Sequence, residues 1–135
     1  MPLTLEIVTP EARVYSDTVD TVVIPTVDGE VGILPGHIAL LAQIEQGELR
    51  VTKDGVTQWL AVSGGFVEVE SDRVHVLAEN AINEEKIDEH AVEAALRRAE
   101  QELAAAKDLD PQQSENLQNL VRYSGVQLAV KRRRR

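Results

Sequence analysis

The side chains able to do chemistry are few, and their spacing gathers them into no reactive group. The three histidines, His37, His75 and His90, are scattered. None has a second ligand at the spacing that closes a metal site. Cysteine is absent, which removes thiolate ligands, thiol nucleophiles and disulfides together and suits a reducing cytoplasm. Ser63 precedes Gly64-Gly65 rather than sitting in Gly-x-Ser-x-Gly, and Ser71 and Ser114 have no nucleophile context either. Gly29-x-x-Gly32 lacks the Lys-Ser/Thr of a phosphate loop. The close carboxylates Glu68/Glu70 and Glu84/Glu85 fit a solvent-facing strand and a helix start. No catalytic residue and no metal are expected, so the chain reads as a binding protein.

Binding points to residues 29–47, which hold four of the eight glycines. Pro35-Gly36 is a turn pair: proline presets φ and glycine supplies the left-handed position. The only polar chemistry at the head of this stretch is Glu30 and His37. It serves either as a plain chain reversal or as a rigid contact surface for a partner.

The flanking elements must position it. Leu3, Leu5 and Ile7 alternate with Thr4 and Glu6, the period of a half-buried strand. Val14-Tyr15 is extended, Thr18 to Ile24 is a β-branched strand stopped by Pro25, and Ile38 to Ile44 is a further apolar strand. Asp54-Gly55 between two alternating runs predicts a two-residue hairpin. Gly64-Gly65 predicts a bulge or a close backbone crossing. Near residue 83 the period changes. Asn83 is a cap, and Ile87, Ala91, Ala94, Ala95, Ala99, Leu103 and Ala106 recur at helical steps. Asp110-Pro111 restarts a second helix with face residues Leu117, Leu120, Val121, Ser124 and Leu128. The fold class is α+β: an N-terminal antiparallel β-sandwich or flattened barrel over 1–83, then a C-terminal antiparallel two-helix hairpin over 84–135. An alanine face buries about one carbon per residue, so the hairpin docks either as a fixed unit or as one able to open.

Net charge is −9, unevenly placed. Residues 1–86 carry 5 Lys/Arg against 15 Asp/Glu, while 87–135 carry 9 against 8 and end in Lys131-Arg132-Arg133-Arg134-Arg135. A nucleic-acid module with a basic tail is the rival from another class. It needs a basic groove and stacking aromatics, and the first part is acidic with aromatics at 3% of the chain. No basic-then-apolar leader follows Met1, and no run approaches the roughly 18 apolar residues of a membrane span.

Gly29-Glu30-Val31-Gly32-Ile33-Leu34-Pro35-Gly36-His37, Ile38 to Ile44, Ser63-Gly64-Gly65-Phe66-Val67-Glu68-Val69 and Val76 to Ala81 together resemble the epsilon subunit of bacterial F-type ATP synthase. The likeness covers the whole chain, by residue and spacing in the first part and by architecture in the helices. It implies a non-catalytic central-stalk subunit of the proton-translocating enzyme, peripheral on the cytoplasmic face of the cell membrane. Its implied partners are the gamma subunit, the c-subunit ring and, in an inhibited state, the alpha and beta subunits. Glu30, Gly32, Pro35, Gly36 and His37 would form the foot on the c-ring. The hairpin would extend and block ATP hydrolysis, with Arg122, Lys131, Arg132 and Arg133 facing acidic segments of the beta subunits. A purely structural coupling subunit, without inhibition, is the alternative. Some relatives bind ATP on the folded hairpin through Ile/Leu-Asp-x-x-Arg-Ala. Here Ile87-Asp88-Glu89-His90-Ala91-Val92 keeps the first two residues, but Ala91 stands in place of the phosphate-pairing arginine. ATP is therefore not expected as a ligand; Ile87, Asp88 and Arg122 are the residues that would hold it.

Overall fold

The computed structural model describes residues 2–105 and 108–133. Ten strands come first: β1 (Leu3–Val8), β2 (Arg13–Val19), β3 (Thr21–Thr26), β4 (Gly29–Ile33), β5 (Leu40–Gln43), β6 (Gly47–Lys53), β7 (Val56–Ser63), β8 (Phe66–Glu70), β9 (Arg73–Leu77) and β10 (Asn80–Asn83). A single 3-10 turn (Glu84–Lys86) leads into α1 (Glu89–Ala105) and α2 (Pro111–Arg132). The strands form two five-stranded sheets in the orders β2-β1-β9-β8-β5 and β10-β7-β6-β3-β4. All pairings are antiparallel except β1 with β9, which run parallel. The α+β sandwich with a helical hairpin is the architecture that the alternating and helical periods predict.

Alternation sets what is buried. Leu3, Leu5 and Ile7 meet Val74 and Val76 from one sheet; Leu49, Val51, Leu60 and Val62 close the core from the other. Each such side chain contributes roughly 1.5–3 kcal/mol when fully buried. The core is aliphatic, as an aromatic-poor chain requires; Tyr15 only packs at its margin. Asp54 (φ 52°) and Gly55 (φ 78°) make the expected hairpin turn between β6 and β7. Gly65 makes the expected close crossing, because a Cβ there would lie 1.8 Å from the Leu77 carbonyl oxygen.

Three local expectations change. The stretch Thr18 to Ile24 divides at Asp20, where the chain passes from one sheet to the other. Pro25 does not stop β3. Its carbonyl accepts from the Glu45 N–H (3.0 Å), on the side where pairing with β6 has already ended at Val23, so the missing N–H interrupts no ladder. The Ile38–Ile44 run forms a shorter strand than expected: β5 covers only Leu40–Gln43, at a sheet edge, and Ile38 and Leu41 are 79% and 72% exposed.

The face of α1 also differs. Asn83 caps the 3-10 turn, Ile87 lies outside any helix, and the Asp88 carboxylate accepts from the Ala91 N–H (3.1 Å) to start α1. The face counted from Ile87 therefore holds at Ala95, Ala99 and Leu103 but fails at Ala91 and Ala94. Ala91 and Ala94 are exposed, while Val92, Ala95, Leu96 and Leu103 are half-buried and Ala99 is buried. Ala106 lies outside the described residues. Asp110 forms a reciprocal capping box with Gln113 ahead of Pro111, so α2 begins where expected.

Candidate functional site

The glycine-rich stretch is a tied-down turn. His37 N–H donates to the Leu34 carbonyl (3.1 Å), with Pro35 and Gly36 (φ 82°) between them, the residue order of a type II turn. Gly36 N–H donates to Asp72 Oδ1 (2.9 Å), which ties the loop to the β8–β9 turn. The His37 Nδ1 lies 2.7 Å from the Ile38 carbonyl, an acceptor, so Nδ1 carries the hydrogen and Nε2 is the nitrogen left to meet a partner. The tip shows apolar surface: Leu34 is 61% exposed and Ile38 79%.

Glu30 is not at this tip. It lies on β4, four residues before Leu34 and so roughly 13 Å of strand away. Its side chain points with those of Pro25, Val23 and Arg50 to the outer face of the second sheet, where Arg50 donates to it at 3.4 Å. Gly32 is on the same outer face, opposite Val23. The five foot candidates thus divide: Pro35, Gly36 and His37 at the tip, Glu30 and Gly32 on a sheet face. The exposure of Leu34, Ile38 and Leu41 was not anticipated, because an apolar run such as Ile38 to Ile44 does not itself show which of its residues face solvent.

That outer face also receives the hairpin. Ala61, Ile87 and Val130 form a small buried cluster, flanked by Trp59, Ile82, Val92, Tyr123 and Val126. The Tyr123 hydroxyl donates to the Ala61 carbonyl (3.0 Å), and burial pushes its pKa well above the ordinary tyrosine range. The basic residues of α2 frame the cluster. Arg122 pairs with Glu45 (3.3 Å). Lys131 Nζ donates to the Glu84 carbonyl (3.2 Å). Arg132 reaches Glu89 (2.8 Å) and Glu93 (2.5 Å) on α1, and the hydrogen bond to Glu89 raises its pKa further. Arg133 pairs with Glu48 and stacks over the Trp59 ring, 4.2 Å from its centroid; Arg50 lies over the same ring at 5.4 Å. Arg134 and Arg135 lie outside the described residues.

Trp59 and Glu48 were not singled out from sequence, yet a signal existed. If Leu60 and Val62 face inward on β7, then Trp59 and Ala61 face outward, and two apolar residues on an outer face call for a covering layer.

The ATP candidates do not converge. Ile87 is buried under the hairpin and Asp88 caps α1. Arg122 lies ten residues before Arg132, the α2 residue that pairs with Glu89 beside Asp88; that is roughly 15 Å along the helix. Arg122 instead lines a cavity of about 430 Å³ between α2 and the sandwich, with Gln46, Glu79, Asn80, Asn116 and Asn119. Ser63 is buried and its hydroxyl accepts from the Asn80 amide (3.0 Å), a structural contact. Among the described residues no three His, Asp or Glu side chains gather as a metal site, and no helix is long and apolar enough to cross a membrane.

The family model described as "ATP synthase, Delta/Epsilon chain, beta-sandwich domain" matches residues 2–84. The chain belongs to this family. A relative named ATP synthase epsilon chain from Herpetosiphon aurantiacus is 44% identical across 100% of this chain and 98% of its own length. The Roseiflexus sp. epsilon chain is 55% identical over 95 residues, 70% of this chain and 68% of the relative. A chain in the Euglena gracilis mitochondrial ATP synthase structure, described as OSCP/F1/c-ring, superposes with a TM-score of 0.78 over 95% of this chain and 80% of that one. At 23% identity this likeness speaks to the fold. A chain from the Tetrahymena thermophila central stalk/c-ring structure gives 0.60 at 17% identity, covering 98% and 96%. The family membership is that of an ATP synthase epsilon subunit, with structural neighbours in rotor assemblies.

Proposed function

We propose that this epsilon-family chain is a non-catalytic central-stalk subunit of a proton-translocating F-type ATP synthase. In this reading it joins the catalytic head to the c-ring from the cytoplasmic face of a bacterial membrane, and its hairpin leaves the sandwich to inhibit ATP hydrolysis. The observation that supports the movable hairpin is the small size of its seat: three buried apolar side chains, five half-buried ones around them and a set of ion pairs hold it, against the much larger core of the sandwich. Arg122, Lys131, Arg132 and Arg133 then exchange their acidic partners on this chain for acidic segments of the beta subunits. The c-ring foot is the 34–38 tip, with His37 as its polar group and Leu34 and Ile38 as its apolar ones. The gamma subunit takes the outer face of the first sheet, where Val8, Leu77 and Phe66 lie side by side in register and Phe66 and Leu77 are half exposed.

Deleting residues 84–135 tests the inhibitory part. ATP hydrolysis by the head reconstituted with gamma should rise. Unchanged hydrolysis would favour a purely structural coupling subunit, a reading supported by the intramolecular partners of Arg122, Lys131, Arg132 and Arg133. Cysteines at Leu34, His37 and Ile38 test the foot, and should cross-link to c-subunit loops in the assembled complex.

A further inference from the structure

Glu30, Arg50, Trp59 and Arg133 form a continuous line of contacts across the outer face of the second sheet. Glu30 on β4 accepts from Arg50 on β6; Arg50 lies over Trp59 on β7; Arg133 at the end of α2 lies over the same ring and pairs with Glu48. Two guanidinium groups therefore share one indole. Their distances to its centroid, 5.4 and 4.2 Å, keep them no more than about 10 Å apart, comparable with the roughly 8 Å Debye length at physiological salt, so their mutual repulsion is only partly screened there. Two carboxylates offset it, Glu48 on the Arg133 side and Glu30 on the Arg50 side.

We propose that Glu30 controls hairpin docking through Arg50: a partner that engages the Glu30 carboxylate draws it from Arg50, leaves the Arg50 charge facing Arg133 across Trp59, and loosens α2. This rests on the reading of a movable hairpin. It makes Glu30, which lies away from the loop tip, a sensor on the sheet face rather than one more point of attachment. The matching partner carries a hydrogen-bond donor or a cation, the only chemistry that competes with a guanidinium for a carboxylate. The sandwich core need not move, because the line runs over its surface. Only the seat of α2 changes.

The test uses the full chain in solution, with amide exchange of residues 123–130 and the emission of Trp59, the single tryptophan. Glu30→Gln keeps the shape and removes the charge; it should speed exchange in α2 several-fold and shift Trp59 emission, while β1 and β9 stay protected. In an Arg50→Ala background the same Glu30→Gln change should do nothing. In an Arg50→Lys background, which keeps the charge, it should act again. Raising salt should shrink the Glu30→Gln effect, since the Debye length falls from about 10 Å at 0.1 M to about 3 Å at 1 M. The relay is wrong if Glu30→Gln leaves α2 unchanged, or acts equally with and without Arg50. If α2 in the unmodified chain exchanges only with global unfolding, the movable-hairpin reading itself fails, a separate outcome from failure of the relay.

Discussion

The sandwich and the hairpin are built by different means. Among the described residues the sandwich core has seventeen buried aliphatic side chains, most of them from the two sheets. The seat of the hairpin has three, Ala61, Ile87 and Val130, with Trp59, Ile82, Val92, Tyr123 and Val126 half-buried around them; a hydrogen bond from Tyr123 and ion pairs, half-exposed at Arg122 and more enclosed at Glu89 and Glu48, add to the hold. Burial scales with area, whereas an exposed ion pair contributes roughly 0–1 kcal/mol and weakens with salt. The two regions of this short chain thus differ in how much buried apolar contact resists local opening, and the proposed movable hairpin rests on that difference.

The comparison can be broken most directly in the sandwich. Leu60→Ala, at a fully buried site, should cost about 2–5 kcal/mol in global stability by denaturant unfolding. If it costs no more than a hairpin substitution, the contrast between the regions is wrong. Val130→Ala removes two buried methyls and should cost roughly 1–2 kcal/mol. That loss should appear as faster exchange in α2, with the strands protected as before.

Tyr123 sharpens the contrast through pH. Burial raises its pKa above the ordinary 10.0, so its contribution to docking is fully present below about pH 10 and fades as pH rises beyond it. Hairpin docking, followed by Trp59 emission, should therefore weaken in alkali before the sandwich does. Tyr123→Phe should abolish that alkaline step and cost about 1 kcal/mol at neutral pH. The smallest effect is expected at Arg122, more than half exposed in its pair with Glu45. Arg122→Ala should cost under about 1 kcal/mol, a loss that high salt masks. A larger, salt-insensitive loss would mean that the cavity beside Arg122 matters more to docking than the ion pair.

Much of the sandwich was legible because its rules are local. A strand with one face inward shows it every second residue, as Leu3, Leu5 and Ile7 do, and Asp54-Gly55 carries its turn in two residues. Gly64-Gly65 announced a bulge or a close crossing, although which it is, and that the Leu77 carbonyl 12 residues on is what crosses, could not be read. The α1 face was misread in its first turns, at Ala91 and Ala94, because a 3-10 turn and an extended residue precede α1, and periodicity has no memory across a break. The loop at 29–37 was legible as a turn, but the placement of Glu30 on a sheet face was not. It depends on which strands lie beside β4, and neighbours in a sheet are not neighbours in the chain.

The sequence by itself determined the sandwich-then-hairpin order, the turns, the aliphatic core and the family, since each rests on residue type and near spacing. Tertiary structure alone decided where the charges go. Arg133 meets Glu48 and Trp59, Arg122 meets Glu45, and Arg50 meets Glu30, pairs drawn from β4, β6, β7, the loop after β5 and α2. A charge has no period and no preferred offset along the chain. Its partner is whatever the packed backbone brings within reach.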